Sequence, residues 1–147
     1  MSHSIRVLLV DDQPTVLHGL RLHLTVERDI AIAGEASDGL TAIDLATSLE
    51  PDVVVLDISM PGMDGFEAAR RIRAAGTSSI VMLSLHDDAA SRARALSSGA
   101  DAFVSKHELT GQLVETIRQV VAASSRWGRR HDGTSPSHVP PFHCMES

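Results

Sequence analysis

Three carboxylates, one hydroxyl and one ammonium stand directly after short apolar runs in this sequence. Asp11 and Asp12 follow Ile5–Val10, Asp57 follows Val53–Leu56, Ser84 follows Ile80–Leu83, and Lys106 comes just beyond Ala102–Val104. Apolar runs of this length read as strands, and unbroken ones as strands buried on both faces. In an open parallel sheet the ligand site lies outside the carboxyl ends of the strands. If the strands pair in the order 2-1-3-4-5, the first and third are neighbours and all five side chains face one crevice. Carboxylates about 5 Å apart repel by roughly 3 kcal/mol per pair at an effective dielectric near 20. Protonation or a hard divalent cation must offset that. Mg²⁺ takes a few carboxylate oxygens and keeps several waters, and a phosphoryl oxygen can replace one of them. The pattern points to metal-dependent phosphoryl chemistry, with Asp57 as nucleophile, Mg²⁺ neutralising charge, and Lys106 and Ser84 holding phosphoryl oxygens.

The elements that must position these groups alternate regularly. Ile5–Val10 is a first strand. Helical spacing of Val16, Leu17, Leu20 and Leu24 follows from Pro14 to about Glu27. Ile30–Ala36 is a second strand, and Asp38 to Leu49 a helix closed by Pro51. After the third strand, Met60-Pro61-Gly62-Met63-Asp64-Gly65 is a loop by its Pro and Gly content, and Phe66–Ala75 a basic amphipathic helix ending at Gly76. Past the fourth strand, Asp87 or Asp88 caps a helix that runs to Ser98 and stops at Gly99. The last helix runs from Leu109 to about Ala123, with Leu109, Leu113, Ile117, Val120 and Val121 at helical spacing. Fivefold strand–helix alternation predicts an α/β domain with a parallel sheet and helices on both faces.

Composition narrows the classes. A chain of 147 residues, 43% hydrophobic, can bury one core without metal or disulfide staples. The single cysteine, Cys144, makes an intramolecular disulfide impossible. Beyond Ser125 the last stretch carries Arg126, Arg129 and Arg130 against Asp132 and Glu146, so the acidity sits in the body (net charge of the whole, −6). An acidic body without a basic stripe argues against direct nucleic-acid contact. No apolar run approaches the roughly 18 residues of a membrane helix, and no signal-peptide pattern opens the chain; the cytoplasm is the expected location. No Gly-Lys-Ser/Thr follows the glycines at 62 and 65, and no dinucleotide-binding glycine pattern follows the first strand. The end of the chain holds Pro136, Pro140, Pro141, His131, His138 and His143 without apolar periodicity. It reads as a linker or disordered extension, and its histidines with Cys144 match no standard metal spacing.

Each site residue also has a plain structural reading. Asp12, before Gln13-Pro14, suits a helix N-cap. Asp57 alone suits a strand-end turn, and Asp64-Gly65 a turn signal. Lys106 alone is most simply a solvated surface charge, and Ser84 a capping hydroxyl. Four strand ends in the right order favour the chemical reading over these separate ones. His86 and His107 are expected to be loop residues rather than metal ligands; His86, two positions past Ser84, is a candidate for tuning hydrolysis of the phosphoryl group.

Val7-Leu8-Leu9-Val10-Asp11-Asp12, Val55-Leu56-Asp57-Ile58-Ser59-Met60-Pro61-Gly62-Met63-Asp64-Gly65, Leu83-Ser84 and Phe103-Val104-Ser105-Lys106 together resemble the receiver domains of bacterial two-component response regulators. The resemblance covers about residues 4–124 and implies a flavodoxin-like (βα)5 fold with sheet order 2-1-3-4-5. It implies that Asp57 accepts phosphate from a sensor histidine kinase. Asp12, Asp57 and the main-chain carbonyl of Ser59 would bind Mg²⁺, with Asp11 acting mainly through a water of the ion. Ser84 and Phe103 would form a switch pair, the hydroxyl moving to the phosphoryl group and the ring packing inward behind it, with Lys106 bridging to the phosphate. Ser84-Leu85-His86-Asp87-Asp88 and Gly34-Glu35-Ala36-Ser37-Asp38-Gly39 look most like the NarL/FixJ (LuxR-type) subfamily. Members of that subfamily usually continue into a DNA-binding helix-turn-helix, for which residues 125–147 leave no room.

Two departures stand out. His107 replaces the proline common after the lysine, so a cis peptide bond is not assumed there. Leu85 is bulky where many receivers carry a small residue, which is expected to restrict access to the phosphoryl site. The expected organisation is a receiver at 4–124 and a linker or disordered tail at 125–147. The expected partners are the kinase and a second copy, through the first and last helices or through the fourth-helix and fifth-strand face. Three outputs compete: partner binding or phosphate relay by the receiver itself, a fragment of a LuxR-type transcription factor, and a phosphate-independent interaction module.

Overall fold

A computed structural model describes residues 4–60, 62–86 and 88–124, without the side chains of residues 108–110. Among these residues five strands and five helices alternate. They are β1 (Ile5–Val10), α1 (Pro14–Thr25), β2 (Ile30–Ala36), α2 (Gly39–Leu49), β3 (Val53–Asp57), α3 (Gly65–Ala75), β4 (Ser79–Ser84), α4 (Ala89–Ser97), β5 (Ala102–Ser105) and α5 (Leu109–Ala122). A single 3-10 turn, Lys106–Glu108, joins the last strand to the last helix. All pairings are parallel and the order is β2-β1-β3-β4-β5, as expected from the sequence.

Side-chain alternation along the strands divides the core in two. Val7, Leu9, Val53, Val55, Val81, Leu83 and Val104 pack under Leu20 and Leu24 of α1 and Leu113, Ile117 and Val121 of α5. On the other face, Leu8, Val10, Val54, Leu56, Ile80 and Met82 meet Ala42, Phe66, Ala68, Ala69, Ile72 and Ala95 from α2, α3 and α4. Each fully buried Leu or Ile contributes about 1.5–3 kcal/mol. The α1 and α5 periodicities therefore mark core faces. Leu109, the first residue of the α5 stripe, has a side chain outside the described set.

Boundaries differ from the sequence reading in consistent ways. The three C-terminal strands run further, because neighbouring parallel strands extend the ladder through polar residues: Asp57 aligns with Leu83, and Ser84 with Ser105. The first helix stops at Thr25, where Val26 caps it and Glu27 turns back to the Leu24 carbonyl. Asp38, Asp64 and Asp88 cap α2, α3 and α4, each side chain accepting from the amide three residues on. Asp87, the other cap candidate, lies outside the described residues, as do Pro61 and the stretch 125–147 with its histidines and Cys144. α4 ends where Gly99 takes φ +111°, a conformation that costs other residues a steric clash. No peptide bond among the described residues is cis, including the one after Lys106.

Candidate functional site

The C-terminal ends of β1, β3, β4 and β5 carry the five side chains singled out from the sequence. Asp11, Asp12 and Asp57 each offer a carboxylate oxygen, and the three lie within 4.8 Å of one another. Asp11 and Asp57 are buried, and Asp12 is half-buried. Lys106 enters from the 3-10 turn, its Nζ 3.0 Å from Asp11 Oδ2 and 3.1 Å from Asp57 Oδ1. Its side chain is only 12% exposed, so it is not the solvated surface lysine of the plain reading. The structure thus sets one ammonium against three carboxylates.

The electrostatics follow from that imbalance. Burial pushes the Asp57 carboxyl above the ordinary aspartate range, and the neighbouring Asp11 pushes it the same way. Lys106 and the Ser59 amide, which donates to Asp57 Oδ1 over 3.4 Å, act against this but do not cancel it. For Lys106, burial disfavours the charge, yet the hydrogen bonds and charges of Asp11 and Asp57 outweigh it and raise its pKa. A cluster with excess negative charge in a low-dielectric rim is a fit for a hard divalent cation, whose oxygen donors would be carboxylates, a backbone carbonyl and water.

The plain reading of Asp12 as an N-cap is corrected. The cap position of α1 is Gln13, which makes no side-chain cap, and Pro14 fills the first helical position. It is Asp11 Oδ1 that accepts from the Gln13 amide, at 2.9 Å. Asp12 is left at the rim with its carboxylate beside the other two. Ser84 Oγ accepts from the His86 amide at 2.9 Å, so its turn-capping role is real; the hydroxyl proton can still be donated elsewhere. Phe103 is half-buried on the same sheet face as Ser84, the face covered by α4. Leu85 is 57% exposed, and His86 and His107 are exposed.

Two residues that lie against elements of the site were not tied to it in the sequence. Gly65 opens α3 so close to the end of β3 that a Cβ would lie 2.6 Å from the Asp57 carbonyl and from Ile58 Cα. Its amide also donates to the Ile58 carbonyl at 2.8 Å. The Asp64-Gly65 pair signals a turn, but the approach to the backbone beside Asp57 exists only in the folded chain. Arg92 of α4 lies with its guanidinium carbon 4.7 Å from the centre of the Phe103 ring. In the sequence it is one more basic residue on a polar helix face.

The chain matches the family described as the response regulator receiver domain over residues 7–118. It belongs to that family. Among curated proteins, it is 36% identical over 117 residues to the nitrate/nitrite response regulator protein NarL of Escherichia coli, which covers 79% of this chain and 54% of that protein. It is 37% identical over 115 residues to the transcriptional regulatory protein LiaR of Bacillus subtilis, covering 78% and 54%. The chain thus spans about half the length of the curated relatives it matches. Among solved structures, it resembles a LuxR-family two-component response regulator from Aurantimonas sp. SI85-9A1, with a TM-score of 0.76 and 33% identity over 86% of this chain and 94% of that one. The response regulator domain of Thermotoga maritima CheB is also similar, with a TM-score of 0.77, 33% identity, and coverage of 82% and 98%. The receiver is therefore of the NarL/LuxR type, a signalling domain of two-component systems. No helix among its described residues is long and apolar enough to cross a membrane.

Proposed function

We propose that this receiver accepts a phosphoryl group on Asp57 from the phosphohistidine of a sensor histidine kinase, with Mg²⁺ held by Asp11, Asp12, Asp57 and the Ser59 main-chain carbonyl. The observation that supports this most is the convergence of the three carboxylates with Lys106 Nζ at 3.0 and 3.1 Å from two of them. An Asp57 carboxylate oxygen attacks phosphorus, the phosphorus–nitrogen bond of the donor breaks, and its electron pair stays on the imidazole nitrogen. When bound, Mg²⁺ supplies neutralisation of the charge that three carboxylates and a phosphoryl group bring together. Lys106 is placed to exchange a carboxylate contact for a phosphoryl oxygen. Ser84 donates its hydroxyl proton to another phosphoryl oxygen, and Phe103 follows inward.

The same site would take phosphate from small donors and lose it by hydrolysis, with His86 near enough in sequence to Ser84 to tune that loss. Residues 4–124 form the receiver in this reading, and 125–147 a linker or tail. The output is switching of a partner-binding or dimer surface. The names of NarL and LiaR favour transcriptional control as the wider role, with this chain corresponding to the receiver part of such a regulator. The expected setting is the cytoplasm, with no direct nucleic-acid contact by the receiver itself.

Intact mass after incubation with acetyl phosphate tests the reading, with and without Mg²⁺, on the wild type and on Asp57→Asn. One phosphoryl adduct that needs both Mg²⁺ and Asp57 is expected. An adduct that survives Asp57→Asn would remove Asp57 from its role, and no adduct under any condition would favour a phosphate-independent interaction module.

A further inference from the structure

Helix α4 is anchored in an unusual way. Of its nine residues only Ala95 is buried, so little apolar surface holds it to the sheet. Instead two arginines reach out from it over aromatic rings. Arg92 lies over Phe103 of β5, and Arg94 over Phe66 of α3, 4.1 Å from the ring centre. Residues two apart on a helix point in nearly opposite directions around its axis, so α4 straddles the two rings. Phe103 is only half-buried. In the β4–β5 ladder Met82 aligns with Phe103, and Ser84 with Ser105. Side chains of aligned and alternate residues share a face, so the Ser84 hydroxyl and the Phe103 ring lie on the same side of the sheet, with Arg92 above the ring.

We propose that Arg92 is a positioning residue for the switch: its guanidinium holds Phe103 half-exposed, and phosphoryl acceptance must break this stack before the ring can move inward behind Ser84. The proposal rests on the phosphoacceptor reading given above. A cation over an aromatic ring at an exposed site is worth about 0.5–1 kcal/mol, which converts to a two- to fivefold bias toward the resting pose. Arg94 has no such role, because Phe66 is buried at the start of α3 and is not part of the strand-end rim.

The test uses the full chain with beryllofluoride and Mg²⁺ as a phosphoryl mimic, followed by NMR. In the free protein the Arg92 side-chain protons should carry a ring-current shift, and saturation with the mimic should remove it. Arg92→Met should tighten apparent mimic affinity about two- to fivefold, and Arg92→Lys by less. Arg94→Met should leave affinity within twofold. In a Phe103→Leu background, Arg92→Met should have no effect on affinity. Unchanged or weaker affinity in an Arg92→Met chain that melts like the wild type would overturn the proposal, as would an equal gain in the Phe103→Leu background. Uptake of the mimic with an unmoved Arg92 shift overturns this inference alone. A wild type that takes up no mimic overturns the phosphoacceptor reading along with it.

Discussion

Each end of the sheet has its own trio of aspartates, and the two trios are treated oppositely. At the amino ends of the strands, Asp29, Asp52 and Asp101 immediately precede β2, β3 and β5. Asp52 Oδ2 accepts from the Arg6 amide at 2.9 Å, and Asp101 Oδ2 from the Ile80 amide at 2.8 Å and from Arg73. Asp29 receives a two-pronged bond from Arg118, which also takes Glu27. The Arg118 guanidinium holds the Asp29 carboxyl below its usual range. At the carboxyl ends, Asp11, Asp12 and Asp57 crowd together with Lys106 bonded to Asp11 and Asp57 only, and burial lifts Asp57 in the opposite direction. Residue type is the same at both rims. What separates the two rims is whether the fold supplies each carboxylate with enough donors, and the surplus of charge at the carboxyl-end rim is what a cation and a phosphoryl group would offset.

The widest separation between the rims should come from Asp101→Ala. It leaves the amide of buried Ile80 without its acceptor and frees Arg73, which also holds the Gly99 carbonyl. An unsatisfied buried donor costs about 1–3 kcal/mol. Urea unfolding should show a midpoint lowered by a loss of that size, with the slope unchanged. Phosphoryl adduct formation at 20 °C, well inside the folded range, should stay within twofold of wild type. A parallel loss of adduct would break the comparison by showing that the amino-end ties also set the geometry at the carboxyl end.

A smaller effect of opposite sign is expected from Asp57→Asn in the presence of a chelator. The folded-state pKa of Asp57 is raised, by burial first and by Asp11 second, so the ionised form is disfavoured in the fold relative to the unfolded chain. Above the folded-state value that penalty is fully present. It shrinks as pH falls through that value, and it vanishes once Asp57 is protonated in both states. The variant should therefore melt higher than wild type near pH 7, and the gain should fade as the pH approaches the usual aspartate range. A gain independent of pH would assign it to packing. A loss at neutral pH would mean that the Lys106 contact outweighs the repulsion, and the two rims would then be alike.

The carboxyl-end rim was legible in the sequence because its parts obey a local rule: apolar runs make buried strands, and chemistry follows where they end. Asp11, Asp57, Ser84 and Lys106 could be placed that way once the strand order was assumed. The amino-end rim was not. Asp101 meets the Ile80 amide, and Arg118 meets Asp29, only because β4 lies beside β5 and α5 shares a sheet face with α1, whose loop leads into β2. No spacing along the chain announces such pairs. The cap reading of Asp12, though not its place among the carboxylates, failed for a related reason. A carboxylate before Gln13-Pro14 has the signature of a cap, but the backbone turns one residue later and gives the Gln13 amide to Asp11. Gly65 was visible as a turn glycine, while the backbone of Asp57 and Ile58 that forbids a Cβ there was not.

The least of these effects concerns how open the carboxyl-end rim is. Leu85 follows Ser84 directly and is 57% exposed, so its side chain adds little to the core and stands beside the strand ends. If it covers part of the polar crevice, as its bulk beside Ser84 suggests, truncating it opens that cover at small cost to stability, since an exposed leucine has little apolar area left to lose. Leu85→Ala should speed both acetyl phosphate-driven adduct formation and adduct hydrolysis, by up to about tenfold, a change of roughly 1.4 kcal/mol in each barrier. Both rates must rise together, because a cover obstructs the incoming donor and the attacking water alike. If only hydrolysis quickens, Leu85 excludes water without screening the donor. If neither rate changes, the rim is already open, and its reactivity is set by charge alone.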